Sequence, residues 1–493
     1  MNRRTLGRVL GMALFALLML TAVVQAVTLE AFLEAASKNH PLFAKEAMSV
    51  EIEETRRQRY LGAEDWVITS SPYFLHQKPV GSSAFASERV DLLSLNAGAE
   101  RAFWRTGGRL SVSVSSDVAD QRFPEIELPG FSIPLGPERF YQHRIYAIYS
   151  HPLLQNYRGK LDRLEYELAE YAVDLSAIQS LEEQEGFLLD LGARFLEWTL
   201  LSEQSRIAAD RLRLAEEQLQ QTERRRRANL IDEVDVLRAE DAVRIARQST
   251  MLIESQWKSK QAELAVLAVW QEIYYAAPEY DLYELADLPS PEQAVSVLTV
   301  RSRLLRTLAT LREQLLHQRA GLVEAARPQL FLNVGAGLQG GEDEFGESLL
   351  LDKPDLLVGA ELRVPLGNRT ARTDIQVSDL QLERLELEMG QVALDLEAGV
   401  SSLLIQIEEL RAVLALNLEQ IESARKKTEE EERLYNQGRG ELTFVIQSRD
   451  NEESAKLRYA QNAATYQQLV LHYRALMDEL YPLTADATNR TSK

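Results

Sequence analysis

The sequence predicts an α+β protein in which long helices alternate with strands of membrane-crossing length, arranged as two internal repeats. Three observations predict it. No proline occurs between Pro152 and Pro278 or between Pro365 and Pro482, and both intervals are rich in Leu, Ala, Glu, Arg and Gln, which is the composition of helix. Segments outside these intervals place apolar residues at a period of two, the pattern of strands with one apolar face. The order helix, strands, Pro-Leu, long helix, turn, return helix occurs twice, and such self-similarity defines a repeat.

The chain has 493 residues, 45% hydrophobic and 26% charged, the balance of a folded protein of two to three domain-sized units. Its formal net charge of -20 repels polyanions, so no nucleic-acid partner is expected. The absence of cysteine excludes disulfides, Cys-ligated zinc, thiol catalysis and a lipid anchor on cysteine. The six histidines lack metal-ligand spacing, and no nucleophile, base and oxyanion donor form a constellation. Neither a cofactor, a metal nor an enzymatic activity is expected, and His40, His143, His151 and His317 read as structural.

From the N-terminus, "MNRRTLGRVLGMALFALLMLTAVVQAVTLEAF" combines Arg3, Arg4 and Arg8 with an apolar run from Val9 to Val24 and small residues up to Ala26. This is the pattern of a secretory signal peptide over residues 1–26. No later segment is long and apolar enough for a transmembrane helix, so contact with a membrane core requires β-strands. The amphipathic helix starting at Thr28 precedes strand-like runs near Trp66 to Phe74, a hairpin around Thr106, Gly107 and Gly108, and a further strand near Arg144 to Tyr149.

The first long helix is expected over Asn156 to Arg227. Phe187, Leu188, Leu191, Phe195, Trp198 and Leu201 form its apolar stripe, continued by Leu212, Leu219 and Leu230. A second long helix is expected over Arg369 to Gln437. At ~1.5 Å per residue each makes a rod on the order of 100 Å, which needs packing partners along its whole length. Before the second rod, a helix starts near Ser290. Then "PQLFLNVGAGL" and "LLVGAELRVPL" set Leu330, Leu332, Val334, Ala336 and Leu338, and Leu356, Val358, Ala360, Leu362 and Val364, each on one face of a strand, with a polar loop between. Both runs match a tilted, bilayer-crossing strand.

Each rod ends at a similar break. "TERRRRANLIDEVDVLRAED" runs from Thr222 to Asp241, and "RLYNQGRGELTFVIQSRD" surrounds the second break. Asn229 and Gly438 occupy equivalent places, and these residue types tolerate the left-handed conformation that ends a helix. The arginine block then lies on the last turn of one helix, and Asp232, Glu233 and Asp235 on the first turn of the next, where each charge offsets the helix dipole. It reads as a helical hairpin tip rather than a nucleic-acid handle. The resulting map is a signal peptide (1–26), a first repeat (27–288, tip near 224–236), a second repeat (289–483, tip near 433–445) and a polar tail (484–493).

With these elements placed, nearly all of the chain after Ala26 resembles the TolC-type outer-membrane efflux proteins, the outer membrane factors. The resemblance rests on "TLEAFLEAASKNHPLF", the strand ends "SHPLL" and "VPLGN", the two tips and the closing helix "AKLRYAQNAATYQQLVLHYRALMDEL". It implies a homotrimer whose outer-membrane β-barrel, set in outer-membrane lipid, is continued by a long periplasmic α-helical barrel. The cell is then Gram-negative. The implied activity is a passive exit duct of a tripartite efflux pump or type I secretion system, docked to a periplasmic adaptor (membrane fusion) protein and an inner-membrane transporter. A single chain of four to six strands cannot close a barrel, and open edges cannot face lipid, so several copies must complete it.

The resemblance also implies site residues. Ala228, Asn229 and Leu230, and Gln437, Gly438 and Arg439, match adaptor-facing tip motifs, and Asp235 matches an aspartate of the resting gate. Three departures stand out. Arg225, Arg226 and Arg227 precede Asn229 where the family places Arg-Tyr, and the second tip keeps Tyr435 with Leu434 in the arginine place. Phe444 and Gln447 stand where some members carry an aspartate ring, which suggests an aromatic plug or a packing residue instead. The hairpin at Gly107 and Gly108 exceeds a plan of two strands per repeat, and either widens the barrel or caps it. The arginines are expected to act between subunits, paired with Asp232, Glu233 and Asp235 or with Glu430, Glu431 and Glu432. A periplasmic adaptor is the alternative reading, but adaptors carry one helical hairpin; an exported enzyme lacks a supporting motif.

Overall fold

The computed structural model describes residues 25–80, 86–123, 126–128, 131–133 and 138–481. The expected signal peptide, except for its last two residues, and the expected polar tail lie outside the described residues. The chain divides into two compact units. One takes residues up to Ser49, Ile178–Arg306 and those from Gly390 on; the other takes Val50–Ala177 and Thr307–Met389.

The helices are α1 (Leu29–Asn39), α2 (Pro41–Arg59), α3 (Leu164–Arg227), α4 (Glu233–Leu267), α5 (Pro291–Arg301), α6 (Arg303–Ala325), α7 (Phe345–Ser348), α8 (Arg369–Asn436) and α9 (Leu442–Leu476). Thr28 caps α1 by accepting from the Ala31 N–H at 3.2 Å, and Ser290 with Gln293 forms a capping box on α5, satisfying N–H groups that a helix start leaves free. The first unit is built on an apolar core of Phe32, Leu191, Phe195, Trp198, Leu264, Leu298, Val400, Leu404 and Tyr466, all at most 7% exposed. Here the predicted stripe on α3 is buried through Leu188, Leu191, Phe195 and Trp198. Leu230 departs from the expected stripe: it lies beyond the helix end and is 69% exposed. A parallel pair, β1 (Gln25–Val27) and β9 (Ala276–Pro278), closes the unit.

Within this core Arg303 is buried. Its guanidinium binds Glu185 at 2.6 Å and Glu182 at 3.3 Å, and donates to the Tyr481 carbonyl at 3.2 Å, while its backbone N–H donates to Asp478 at 2.7 Å. The three carboxylates approach within 4.8 Å of one another, and the arginine cation among them makes this an ion-pair cluster. Burial pushes the Glu185 carboxyl up, against the pull of Arg303.

The second unit contains one antiparallel sheet. Its strands are β2 (Val67–Ser70), β3 (Tyr73–Gln77), β4 (Arg89–Phe103), β5 (Gly108–Arg122), β8 (Arg139–Pro152), β10 (Gln329–Glu342) and β11 (Lys353–Arg363), with β6 (Ile126–Leu128) and β7 (Phe131–Ile133) a separate pair. The order across the sheet is β11, β10, β8, β5, β4, β2, with β3 also on β4. Val67 pairs with Glu100 and Tyr73 with Ser94, which is one continuous register, bridged by the Ser71 N–H to the Asn96 carbonyl at 2.9 Å. β2 and β3 are therefore one edge strand interrupted at Pro72, whose missing N–H suits an edge. The sheet has six strands, and the Gly107–Gly108 hairpin forms two of them inside it.

The first rod begins later than expected, at Leu164. Asn156 and Gly159 take left-handed backbone, at φ 61° and 66°, and the Asn156 side chain accepts from the Leu161 N–H at 2.9 Å. A Cβ on Gly159 would fall 1.8 Å from the Trp104 carbonyl oxygen, so the β4–β5 turn and this loop interlock only because residue 159 is glycine.

Candidate functional site

Both long helices end in the same hydrogen-bonded turn. At the first tip the Leu230 N–H donates to the Arg225 carbonyl and the Asn229 N–H to the Arg226 carbonyl, both at 2.9 Å. At the second, Arg439 donates to Leu434 at 2.9 Å and Gly438 to Tyr435 at 3.0 Å. These pairs are a Schellman closure, which needs a left-handed residue just past the helix; Asn229 has φ 52° and Gly438 φ 74°.

The two tips are joined within the chain by Arg225. Its guanidinium donates to the Tyr435 carbonyl from both terminal nitrogens at 3.1 Å and to the Asn436 carbonyl at 3.1 Å, and lies 4.4 Å from the centroid of the Tyr435 ring. Those carbonyls belong to the last turn of α8, where carbonyl oxygens lack helical partners and carry the negative end of the dipole. Beneath the clamp, Tyr435 packs with Ala239, Leu442 and Val445.

Several of the other tip charges are also engaged within the chain. Arg226 binds Glu233 at 3.1 Å, Arg227 binds Glu223 at 3.5 Å and Asp235 binds Arg238 at 3.2 Å. Glu430 holds Arg433, and Glu432 binds Arg449 at 2.6 Å. Within the single chain, Glu233 is the one of the expected acidic partners that meets an arginine of the 225–227 block, and Arg225 turns to carbonyls and a ring. Ala228, Asn229, Leu230, Gln437, Gly438, Arg439 and Phe444 are exposed. Arginine ahead of a helix end gave no signal for its in-chain acceptor, which lies 210 residues away.

The sheet presents two chemically different faces. One row reads Ile68, Ala99, Val112, Ala147, Ala336 and Leu356 across all six strands. The adjacent row, one residue along and on the opposite face, reads Thr69, Gly98, Ser113, Tyr146, Gly337 and Asp355. Leu93, Leu95, Val114, Ile145, Leu338, Val358 and Leu362 lie on the apolar face and are all exposed. An exposed apolar face this broad marks an interaction surface, and the alternation across it is that of a strand with lipid on one side and water on the other. Tyr141 and Tyr149 flank Ile145 on the apolar side of β8, the placing of an aromatic girdle. Among the described residues no helix is long and apolar enough to cross a membrane.

The histidines have local partners: His40 stacks on Phe187 at 4.3 Å, His143 meets Ser348 at 3.1 Å, His151 stacks on Tyr149 at 6.0 Å and His317 meets Glu167 at 2.7 Å.

Solved structures of outer-membrane channels share this fold. The outer membrane protein VceC of Vibrio cholerae matches with a TM-score of 0.63 at 11% identity, over 91% of this chain and 96% of that chain. The CmeC outer membrane channel of Campylobacter jejuni matches with 0.62 at 10%, over 94% and 88%. The MtrE outer membrane channel of Neisseria gonorrhoeae, in its open state, matches with 0.57 at 13%, over 92% and 89%. The chain has the fold of the TolC-type channels, at identities that speak for fold alone. No family model matches the sequence, and no curated protein matches it.

Proposed function

We propose that this protein is an outer-membrane exit duct of a Gram-negative bacterium. It would pass solutes outward without chemistry, serving a tripartite efflux pump or a type I secretion system. The observation that carries this reading is the exposed apolar face across six strands, on a sheet whose two edges, β11 and β2–β3, are unpaired among the described residues. Such edges cannot stand in lipid alone, so the barrel is closed by further copies, and the fold shared with outer-membrane channels supports a homotrimer. Residues 27–288 and 289–483 are read as two copies of one structural unit, which accounts for the Schellman closure at both tips.

In this reading the tips form the closed end and the docking surface for a periplasmic adaptor and an inner-membrane transporter. Ala228, Asn229, Leu230, Gln437, Gly438 and Arg439 face the adaptor, Phe444 narrows the passage, and Arg225, Arg226, Arg227, Asp235 and Tyr435 hold the tips in place. A chain with two helical hairpins and a membrane-type sheet fits a duct better than an adaptor. Fractionation followed by mass analysis in mild detergent tests this: an outer-membrane trimer with small, mostly closed conductance in planar bilayers is expected. A monomer in the soluble fraction would refute it.

A further inference from the structure

We infer that each chain contributes six membrane-crossing strands, so that three copies close an eighteen-stranded barrel with a wide aqueous bore. The inference rests on the trimeric duct proposed above and adds the strand count, which follows from the β4–β5 hairpin.

That hairpin could cap a smaller barrel or be part of its wall, and the register decides between these. β5 pairs with β8 from Arg109↔Ser150 to Asp120↔Arg139, and β4 carries β2 and β3 on its other side. The hairpin therefore sits between the edge strand and β8, with no direct path from β2–β3 to β8 that omits it. Its two faces match those of the other strands: Ala97 and Val114 share a row with Ile145 and Leu338, while Asn96 and Ser115 lie on the polar side. A hairpin serving as a cap has no reason to continue this alternation in register.

The edges suit a second copy of the chain. With six antiparallel strands the two edge strands run in opposite directions, so β11 of one copy meets β2–β3 of the next as another antiparallel pair. An odd number would force a parallel seam. This is a heterologous contact, which closes as a ring.

Strands spaced about 4.8 Å apart and tilted by about 40° give a backbone radius of about 18 Å for eighteen strands, against about 12 Å for twelve. The polar face keeps that space open, being rich in glycine and serine. Tyr146 on this face lies flat: a Cβ on Gly335 or Gly337 would fall 2.4 or 2.5 Å from it, so the two glycines receive the ring against the wall. The lumen then exceeds the roughly 10–12 Å diameter of an α-helix with its side chains, and the barrel does not limit cargo to small solutes.

Because the chain has no cysteine, single cysteines report on each face of the full-length protein in lipid nanodiscs. With a water-borne maleimide, Asn96→Cys and Ser113→Cys should react at least about tenfold faster than Ala97→Cys and Val114→Cys, whose thiols face lipid and ionise poorly. Asn333→Cys and Val334→Cys on β10 are the control pair. Alternation on β10 without alternation on β4 and β5 overturns the inference and leaves the duct standing; no alternation on β10 sinks the duct reading itself. Electron cryo-microscopy of the same particles should show eighteen strands, and a twelve-stranded wall or an assembly of other than three chains refutes the count.

Discussion

Replacing Arg225 by Gln should loosen both hairpin tips at once. The side chain makes three hydrogen bonds of 3.1 Å to the Tyr435 and Asn436 carbonyls and a 4.4 Å cation–π contact. A hydrogen bond to a charged group is worth about 1.5–3 kcal/mol when well buried; Arg225 is half-buried, so the whole hydrogen-bonded set is taken at the low end. The cation–π contact adds about 0.5–1 kcal/mol. Together they hold the tips by about 2 kcal/mol, a factor of about 30. The assay is amide hydrogen exchange on the intact protein, read over residues 228–236 and 437–445, where local opening sets the rate. Arg225→Gln should raise exchange in both segments by about 30-fold. Arg225→Lys keeps the charge but not the fork and should raise it only about 5-fold, from the loss of about 1 kcal/mol. Tyr435→Phe should leave the clamp in place, since the ring and the carbonyl remain and the buried Tyr435 hydroxyl has no hydrogen-bond partner among the described residues. Unchanged exchange at both tips in Arg225→Gln would refute the clamp.

Val269 ends α4 in left-handed backbone at φ 51°, which is strained for a β-branched residue; Val269→Gly should stabilise the protein by about 1 kcal/mol, seen as a higher Tm. On β5, Val114→Arg places a charge on the apolar face and should cost about 2–4 kcal/mol of assembled stability, while Ser113→Arg one residue away should cost little, as read by heat-resistant oligomer on gels. Arg303→Met leaves Glu185 buried without its cation and should cost about 3–5 kcal/mol in chemical unfolding, with Glu185→Leu added in the same chain recovering most of it. Because burial raises the Glu185 carboxyl above its ordinary value, the folded state holds that proton more tightly than the unfolded chain. Its contribution to stability is therefore complete below the ordinary carboxylate range and is lost as pH rises through the raised value. Glu185→Gln should flatten that part of the pH–stability curve, and an unaltered curve would show that Glu185 does not titrate there.

Features that depend on near neighbours can be read directly along the chain. Proline-free tracts give helices because nothing interrupts the i to i−4 ladder, so α3, α4, α8 and α9 were legible. Asn229 and Gly438 marked the tips because a left-handed cap favours those two residues. Alternation along "FLNVGAGL" and "LVGAELRV" assigned faces to β10 and β11, since side chains on a strand point to opposite sides. Tertiary structure decided whatever depends on residues distant along the chain. The start of α3 depends on Gly159 lying against Trp104, so the helical pattern back to Asn156 could not reveal it. The place of the β4–β5 hairpin depends on which strand each edge finds, and local alternation is the same for a wall and for a cap. The arginine block illustrates the division most sharply: its position at a helix end is a local matter of the dipole, but Arg225 settles on Tyr435 rather than on an acid because packing of the two hairpins brings the carbonyls of a helix end within reach. A guanidinium bonds whichever acceptor the fold places nearest, and that acceptor is chosen by chain geometry over 210 residues.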